Sequence, residues 1–184
     1  MESVDNPVPD YYWKEFNGVI PKDALPCGLN SNGTTTYVGQ VYHGNLVTPV
    51  KIDIDTDVIS YEWGYKEYTV NENIKILCGK HVEQFQWLNT ANRLIHTLKD
   101  KHLIIGGYEE GGNIYIGRIQ LDDELSVGKI VDGPNQSTLN TVKNGTGYQH
   151  AAFQILSYNP DITPRPVNTR CRGRPIVINF FSDP

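Results

Sequence analysis

The chain has 184 residues, enough for one domain or two small similar halves and too short for two large ones. Against 21 Asp and Glu, 16 Lys and Arg leave a net charge of −5, which disfavours nucleic acid and anionic membrane as partners of the surface as a whole. Mean hydropathy is −0.42, and with no apolar run approaching ~18 residues a transmembrane helix is excluded.

Residues 1–10 read as a polar arm, with acidic residues and prolines where an export signal needs positive charge and an apolar stretch. The expectation is therefore a cytoplasmic protein, with vesicle association as a variant of that location. In a reducing compartment the three cysteines, Cys27, Cys78 and Cys171, are expected to be free thiols. The sequons at Asn32, Asn135 and Asn144 would then go unused.

Gly 17, Tyr 11 and Pro 11 against a single Met favour turns and strands over helical bundles, and the expected class is all-β. Residues 36–41 (TYVGQV) and 114–119 (IYIGRI) are aromatic and β-branched around a glycine, as hairpin strands are. Residues 51–59 (KIDIDTDVI) alternate with period two and predict one strand with a wet face. Phe85, Leu88, Ala91, Ile95 and Leu98 recur at intervals of three or four, which places a short amphipathic helix beside strand as an alternative. The glycine-rich run from Gly106 to Gly112 lacks the Lys-Ser/Thr of a phosphate loop and reads as a hairpin turn.

An internal repeat organises these segments. Tyr37, Gly39 and Lys51 return as Tyr115, Gly117 and Lys129, each 78 residues later, and Ala24 to Asn30 aligns with Leu103 to Glu109 at an offset of 79. The reading is two tandem antiparallel units, residues 11–80 and 81–158, related by a pseudo-two-fold axis and packed as one sandwich-like domain. Any site in one unit should then have a diverged twin. Residues 159–184 form an extended Pro- and Arg-rich tail with a β-prone stretch from Ile176 to Phe181.

The elements Trp13, Gly18, Pro21, Ala24, Gly28, Tyr37-Val-Gly39, Leu46, Pro49 and Lys51 are followed by Trp87, Gly106-Gly-Tyr-Glu109, Tyr115-Ile-Gly-Arg118, Leu125 and Gly128-Lys129. In this order, twice over about residues 12–158, they resemble the DM-nine repeat proteins, also called natterin-like lectins. The resemblance implies a two-copy β-fold, often dimeric, with recognition of mannose-type glycans or microbial surface polysaccharide and a link to innate immune responses. The first copy departs from the pattern with Gln40 in place of Arg, Asn30 in place of an acid, and Val50 in place of Gly.

Chemistry and resemblance together single out Glu109 with Lys129 and, more weakly, Asn30 with Lys51 as carbohydrate-binding pairs. A carboxylate acceptor beside an ammonium donor grips two neighbouring sugar hydroxyls. The plain alternative is a surface ion pair worth at most about 1 kcal/mol. Arg118 and Gln40 are expected to support the pairs, with a structural ion pair of Arg118 as the alternative. Trp13, Trp63 and Trp87 read as core residues before sugar platforms. Asp53, Asp55 and Asp57 do not fit a calcium loop, whose sixth and twelfth positions would be Val58 and Gly64. No spacing supports a metal or cofactor, and no pattern supports an enzyme. Arg165, Arg170, Arg172 and Arg174 cluster in the tail, giving as second reading an interaction module for anionic lipid or another anionic partner. Cys171 lies between two of these arginines, which favours a reactive thiolate without identifying a base. No aromatics interleave for nucleic acid.

Overall fold

The computed structural model describes residues 9–56, 59–109, 111–122, 124–133 and 137–163. Within them the chain forms β1 (Tyr11–Glu15), β2 (Pro26–Leu29), β3 (Thr35–His43), β4 (Leu46–Ile52), β5 (Ile59–Trp63), β6 (Lys66–Val70), β7 (Lys75–Gly79) and β8 (Phe85–Ala91). There follow β9 (His102–Leu103), β10 (Ile105–Glu109), β11 (Gly112–Leu121), β12 (Glu124–Asp132), β13 (Ser137–Lys143), β14 (Thr146–His150) and β15 (Ala152–Tyr158). All pairings are antiparallel, along the order β1-β7-β3-β4-β10-β11-β12-β13-β14-β6-β5, with β15 joining β11, β8 and β9. The described residues contain two short 3₁₀ turns, Val82–Gln84 and Ile95–Leu98, and no α-helix. None of their helices is long and apolar enough to cross a membrane.

Two local expectations are corrected. The segment that permits an amphipathic helix is strand β8, paired with β15 from Phe85↔Tyr158 to Ala91↔Ala152. Only Ile95–Leu98 turns helically, and the three-to-four spacing arises from reading a period-two strand and the following turn as one element. The strand expected over residues 51–59 ends at Ile52. The Asp53 carboxylate accepts from the Asp55 N–H at 3.0 Å, and its carbonyl accepts from the Thr56 hydroxyl at 3.0 Å, a local turn that out-competes the ladder. Asp57, Asn135, the four tail arginines, Cys171 and the stretch from Ile176 to Phe181 lie outside the described residues.

The pairing pattern recurs along the chain. Gly39 faces Val50 on one side and Ile76 on the other, as Gly117 faces Gly128 and Ile155. Trp13 lies opposite Leu77 and Trp87 opposite Leu156. Tyr61 pairs with Tyr68, and Thr141 with Tyr148. The glycine of each Tyr-x-Gly strand has a steric reason. A Cβ on Gly39 would sit 2.7 Å from the Ile52 side chain, and one on Gly117 would sit 2.7 Å from Ile130 and Leu139.

Three apolar layers follow from this arrangement. Val41, Val50, Ile52 and Ile76 pack within the first half, and Ile130, Leu139, Phe153 and Ile155 within the second. Between them Leu25, Val38 and Leu77 meet Ile104, Ile116 and Leu156 in a layer common to both halves. Strands β7 and β15 are buried on both faces, since Ile76 and Leu77, like Ile155 and Leu156, are fully enclosed. Each such side chain contributes roughly 1.5–3 kcal/mol, and the middle layer draws on both halves for that burial.

The halves also exchange backbone. Tyr108 of β10 pairs with Val47 of β4, and a Cβ on Gly107 would lie 2.0 Å from the Val47 carbonyl oxygen. Reciprocally, Gly28 of β2 is packed against Leu125 of β12, the counterpart of Val47. At the far end the hairpins β5–β6 and β13–β14 meet through Thr146↔Lys66, themselves counterparts in the two halves.

Gly117→Ala should therefore overpack the second-half layer and destabilise the protein by about 1–3 kcal/mol, with Gly39→Ala similar. Urea unfolding of the two variants measures this; a midpoint like that of the parent would contradict the steric account.

Candidate functional site

Two pockets occupy equivalent places in the two halves, each built on the lysine near the end of a long strand. The Lys51 pocket encloses about 450 Å³ and is lined by Asn30, Lys51, Asp53 and Asp55 of the first half with Glu124, Val142 and Lys143 of the second. The Lys129 pocket is an open depression of about 470 Å³, lined by Glu109, Lys129 and Asn140 of the second half with Glu62, Trp63 and Tyr65 of the first. In both, the tip of one half's hairpin is laid over the other half's lysine.

In the Lys129 pocket the two expected residues come together. Lys129, only 7% exposed, holds its ammonium 3.5 Å from Glu109 Oε2. The same ammonium lies 3.5 Å from Glu62 Oε2 and 3.9 Å from the centre of the Trp63 ring. Both ion-pair distances exceed the ~2.7–2.9 Å of a charge-assisted hydrogen bond. Glu62 is itself buried, at 7% exposure. Its Oε1 accepts the Tyr65 N–H at 2.6 Å, while Oε2 is the buried side-chain oxygen that lacks a hydrogen-bond partner among the described residues. Two carboxylates, an ammonium and an indole thus face one cavity.

Trp63 is held from behind by an aromatic cluster. His43 stacks on it at 4.4 Å with an interplanar angle of 20°, and His43 Nδ1 and the Tyr61 hydroxyl are hydrogen-bonded at 3.0 Å. Burial, and then the positive charge of Lys129, push the His43 imidazole below its ordinary range. Trp63 is therefore both a core residue and part of the pocket wall.

The Lys51 pocket brings its expected pair into one cavity but gives each residue another partner. Lys51 makes an ion pair with Glu124. Asn30, 6% exposed, donates from its amide to both oxygens of Asp53 at 3.1 Å and to Asp55 at 2.8 Å. Its carbonyl accepts the N–H groups of Asn32 at 3.0 Å and Thr34 at 2.8 Å. Asn30 thus closes the loop around itself, and its amide, backed by Thr34, holds the Asp55 carboxyl below the usual range. An amide nitrogen stands between the two aspartates where a cation would otherwise balance them.

The two supporting residues line neither pocket. Arg118 donates to the Gln154 side chain at 2.8 Å and to the Cys27 carbonyl at 2.6 Å, and its guanidinium lies 4.3 Å from the Trp87 ring centre. It ties the halves together around the shared layer. Gln40 lies on β3 between Pro49 and Lys75. Trp13 and Trp87 pack on the shared layer. Cys27 and Cys78 are free and buried, and burial pushes both thiols up to about 11, which keeps them protonated and inert.

Glu62, Tyr65 and Glu124 were missed as site residues by sequence reasoning. The available signal is the hairpin itself: Trp63-Gly-Tyr-Lys66 aligns with Lys143-Asn-Gly-Thr146, each with two left-handed residues at the turn. Aligning these tips shows which half supplies which wall.

A DM9 repeat model matches residues 30–140. The chain belongs to the DM9 repeat family. Its fold is similar to that of the nematode sperm cell motility protein MFP2B, with a TM-score of 0.55 and 11% identity over 90% of this chain and 48% of that chain. The DM9 chain described here thus spans about half the length of that relative. No curated protein matches it.

Two outcomes follow for stability. Lys129→Met should cost about 3–5 kcal/mol because it strands Glu62 in the interior, and adding Glu62→Gln should return part of that loss; a non-additive double-mutant cycle in urea tests it. Because the folded imidazole of His43 resists protonation, stability should be highest above about pH 6.5 and fall as pH drops through that value. Burial depresses His150 in the same direction. In His43→Phe the pH 5–7 slope of unfolding free energy should shrink; an undiminished slope would assign it elsewhere.

Proposed function

We propose that this DM9 protein is a carbohydrate-binding protein that takes mannose-type glycans, with the Lys129 pocket as its principal site. The observation that carries the reading is the convergence of Glu109, Glu62 and Lys129 at 3.5 Å contacts in one cavity, with a carboxylate oxygen left without a hydrogen-bond partner. A sugar hydroxyl both donates and accepts, so one hydroxyl satisfies the Lys129 ammonium and the Glu109 carboxylate together. A neutral amide donor or a cation satisfies one kind of partner alone.

The Lys51 pocket is the weaker twin in this reading. Asn30 and Lys51 already spend their polar groups on Asp53, Asp55 and Glu124, so a ligand there must displace existing partners. A homodimer of such chains would present two principal sites and raise avidity for a microbial polysaccharide without new contacts. A cytoplasmic setting and an innate immune role belong to the same proposal. The alternative of an anionic-lipid or protein-interaction module rests on the tail arginines alone.

Glu109→Gln removes a carboxylate from the site while the Glu62–Lys129 pair remains. Binding to a neutral mannan, measured by calorimetry with free mannose as competitor, should weaken by roughly 10- to 100-fold, the cost of a hydrogen bond to a charged group. An affinity equal to the parent's, or no mannan binding by the parent, would sink the assignment.

A further inference from the structure

Tyr65 sits at the tip of the β5–β6 hairpin with φ of 64°, in the left-handed region. Bulky non-glycine residues rarely adopt it. Its counterpart at the tip of β13–β14 is Gly145, with φ of 82°, the residue type such a turn favours. The first half therefore carries a disfavoured residue where the second carries the favoured one.

The backbone of Tyr65 is clamped from two sides. Its N–H donates to Glu62 Oε1 at 2.6 Å, and its carbonyl accepts the N–H of Gly147 from the other half at 3.2 Å. Gly147 leaves the space this needs, since a Cβ there would fall 2.9 Å from the Tyr65 backbone and 2.8 Å from Glu62. Strain of this kind persists where the surroundings over-determine it, and it concentrates at functional sites.

What the strain delivers is an aromatic ring on the rim of the Lys129 pocket. Tyr65 lines the pocket and is 64% exposed, while the neighbouring Trp63 ring has an ammonium over it at 3.9 Å. Exposure of a large ring at that cost has no return in core packing.

We propose that Tyr65 is the stacking platform of the Lys129 site, and that the ligand is a neutral pyranose presenting a C–H face to the ring. This rests on the carbohydrate reading above and deepens it. Glu62 and Glu109 outnumber Lys129 in formal charge, so a uronate or sialate brings a carboxylate against a net negative wall. A neutral hexose brings hydroxyls to Glu109 and Lys129 and its apolar face to Tyr65. The site is complete only with both halves, because Glu62 and Tyr65 come from the first and Glu109 and Lys129 from the second.

Tyr65→Gly separates ligand binding from stability. It places the favoured residue at the left-handed position, so the melting temperature should rise by about 2–4 °C for each 1 kcal/mol of strain relieved. Affinity for soluble neutral mannan, measured by titration calorimetry, should fall about tenfold or more. Tyr65→Phe keeps the ring and should retain most of the affinity, and polymannuronate should bind the parent more weakly than mannan.

If the parent binds mannan and Tyr65→Gly binds equally well, the platform is overturned while the Glu109 site stands. Stronger binding of polymannuronate than of mannan overturns the ligand class. A parent that binds no mannan overturns both the carbohydrate reading and this one.

Discussion

Neither half of the chain can make a pocket without the other. Lys129 stands on the second half, but Glu62, Trp63 and Tyr65 around it arrive on the first half's hairpin. Lys51 stands on the first half, and Glu124 and Lys143 arrive from the second. The apolar layer shared by Leu77 and Leu156, together with the hairpin contact at Thr146↔Lys66, fixes how the tips are laid across. The site is thus a consequence of inter-half packing, and its geometry is only as firm as that layer.

The same exchange accounts for the difference between the two pockets. Their strands and lysines correspond, but the residues crossing over do not. Where the Lys129 pocket receives Glu62 and Trp63, the Lys51 pocket receives Val142 and Lys143. Each lysine there has its own counter-charge, Glu124 for Lys51 and Asp122 for Lys143. Glu109 faces the lysine across 3.5 Å, whereas Asn30 is turned into its own loop by two aspartates. One pocket keeps its acid and lysine face to face, and the other is closed on itself.

Much of this order is legible in the sequence. Periodicity and turn residues give the all-β class, and the Tyr-x-Gly position recurs where an isoleucine presses on the glycine in each half. What is not legible has two causes. Residues 51–59 alternate as a strand should, but the Asp53 carboxylate accepts the Asp55 N–H and the strand ends at Ile52; local side-chain competition is invisible to period counting. Glu62 and Glu124 lie far along the chain from the lysines they meet, and only the crossing of the halves brings them near. Asn30 and Arg118 show the converse, polar residues at motif positions whose bonds organise loops and layers.

Strain and pre-organisation meet in the β5–β6 hairpin. Glu62 spends one oxygen on the Tyr65 N–H and leaves the other facing Lys129, so the residue that fixes the turn also sets the charge of the wall. Gly147 of the opposite half locks the Tyr65 carbonyl. In a hairpin free in solution the Gly147 clamp is lost, and the Glu62 bond alone is left to hold the left-handed conformation. Docked between the halves, the hairpin holds the Tyr65 backbone and the Glu62 carboxylate in place, so part of the ordering cost that weakens binding by mobile loops is already met by the fold.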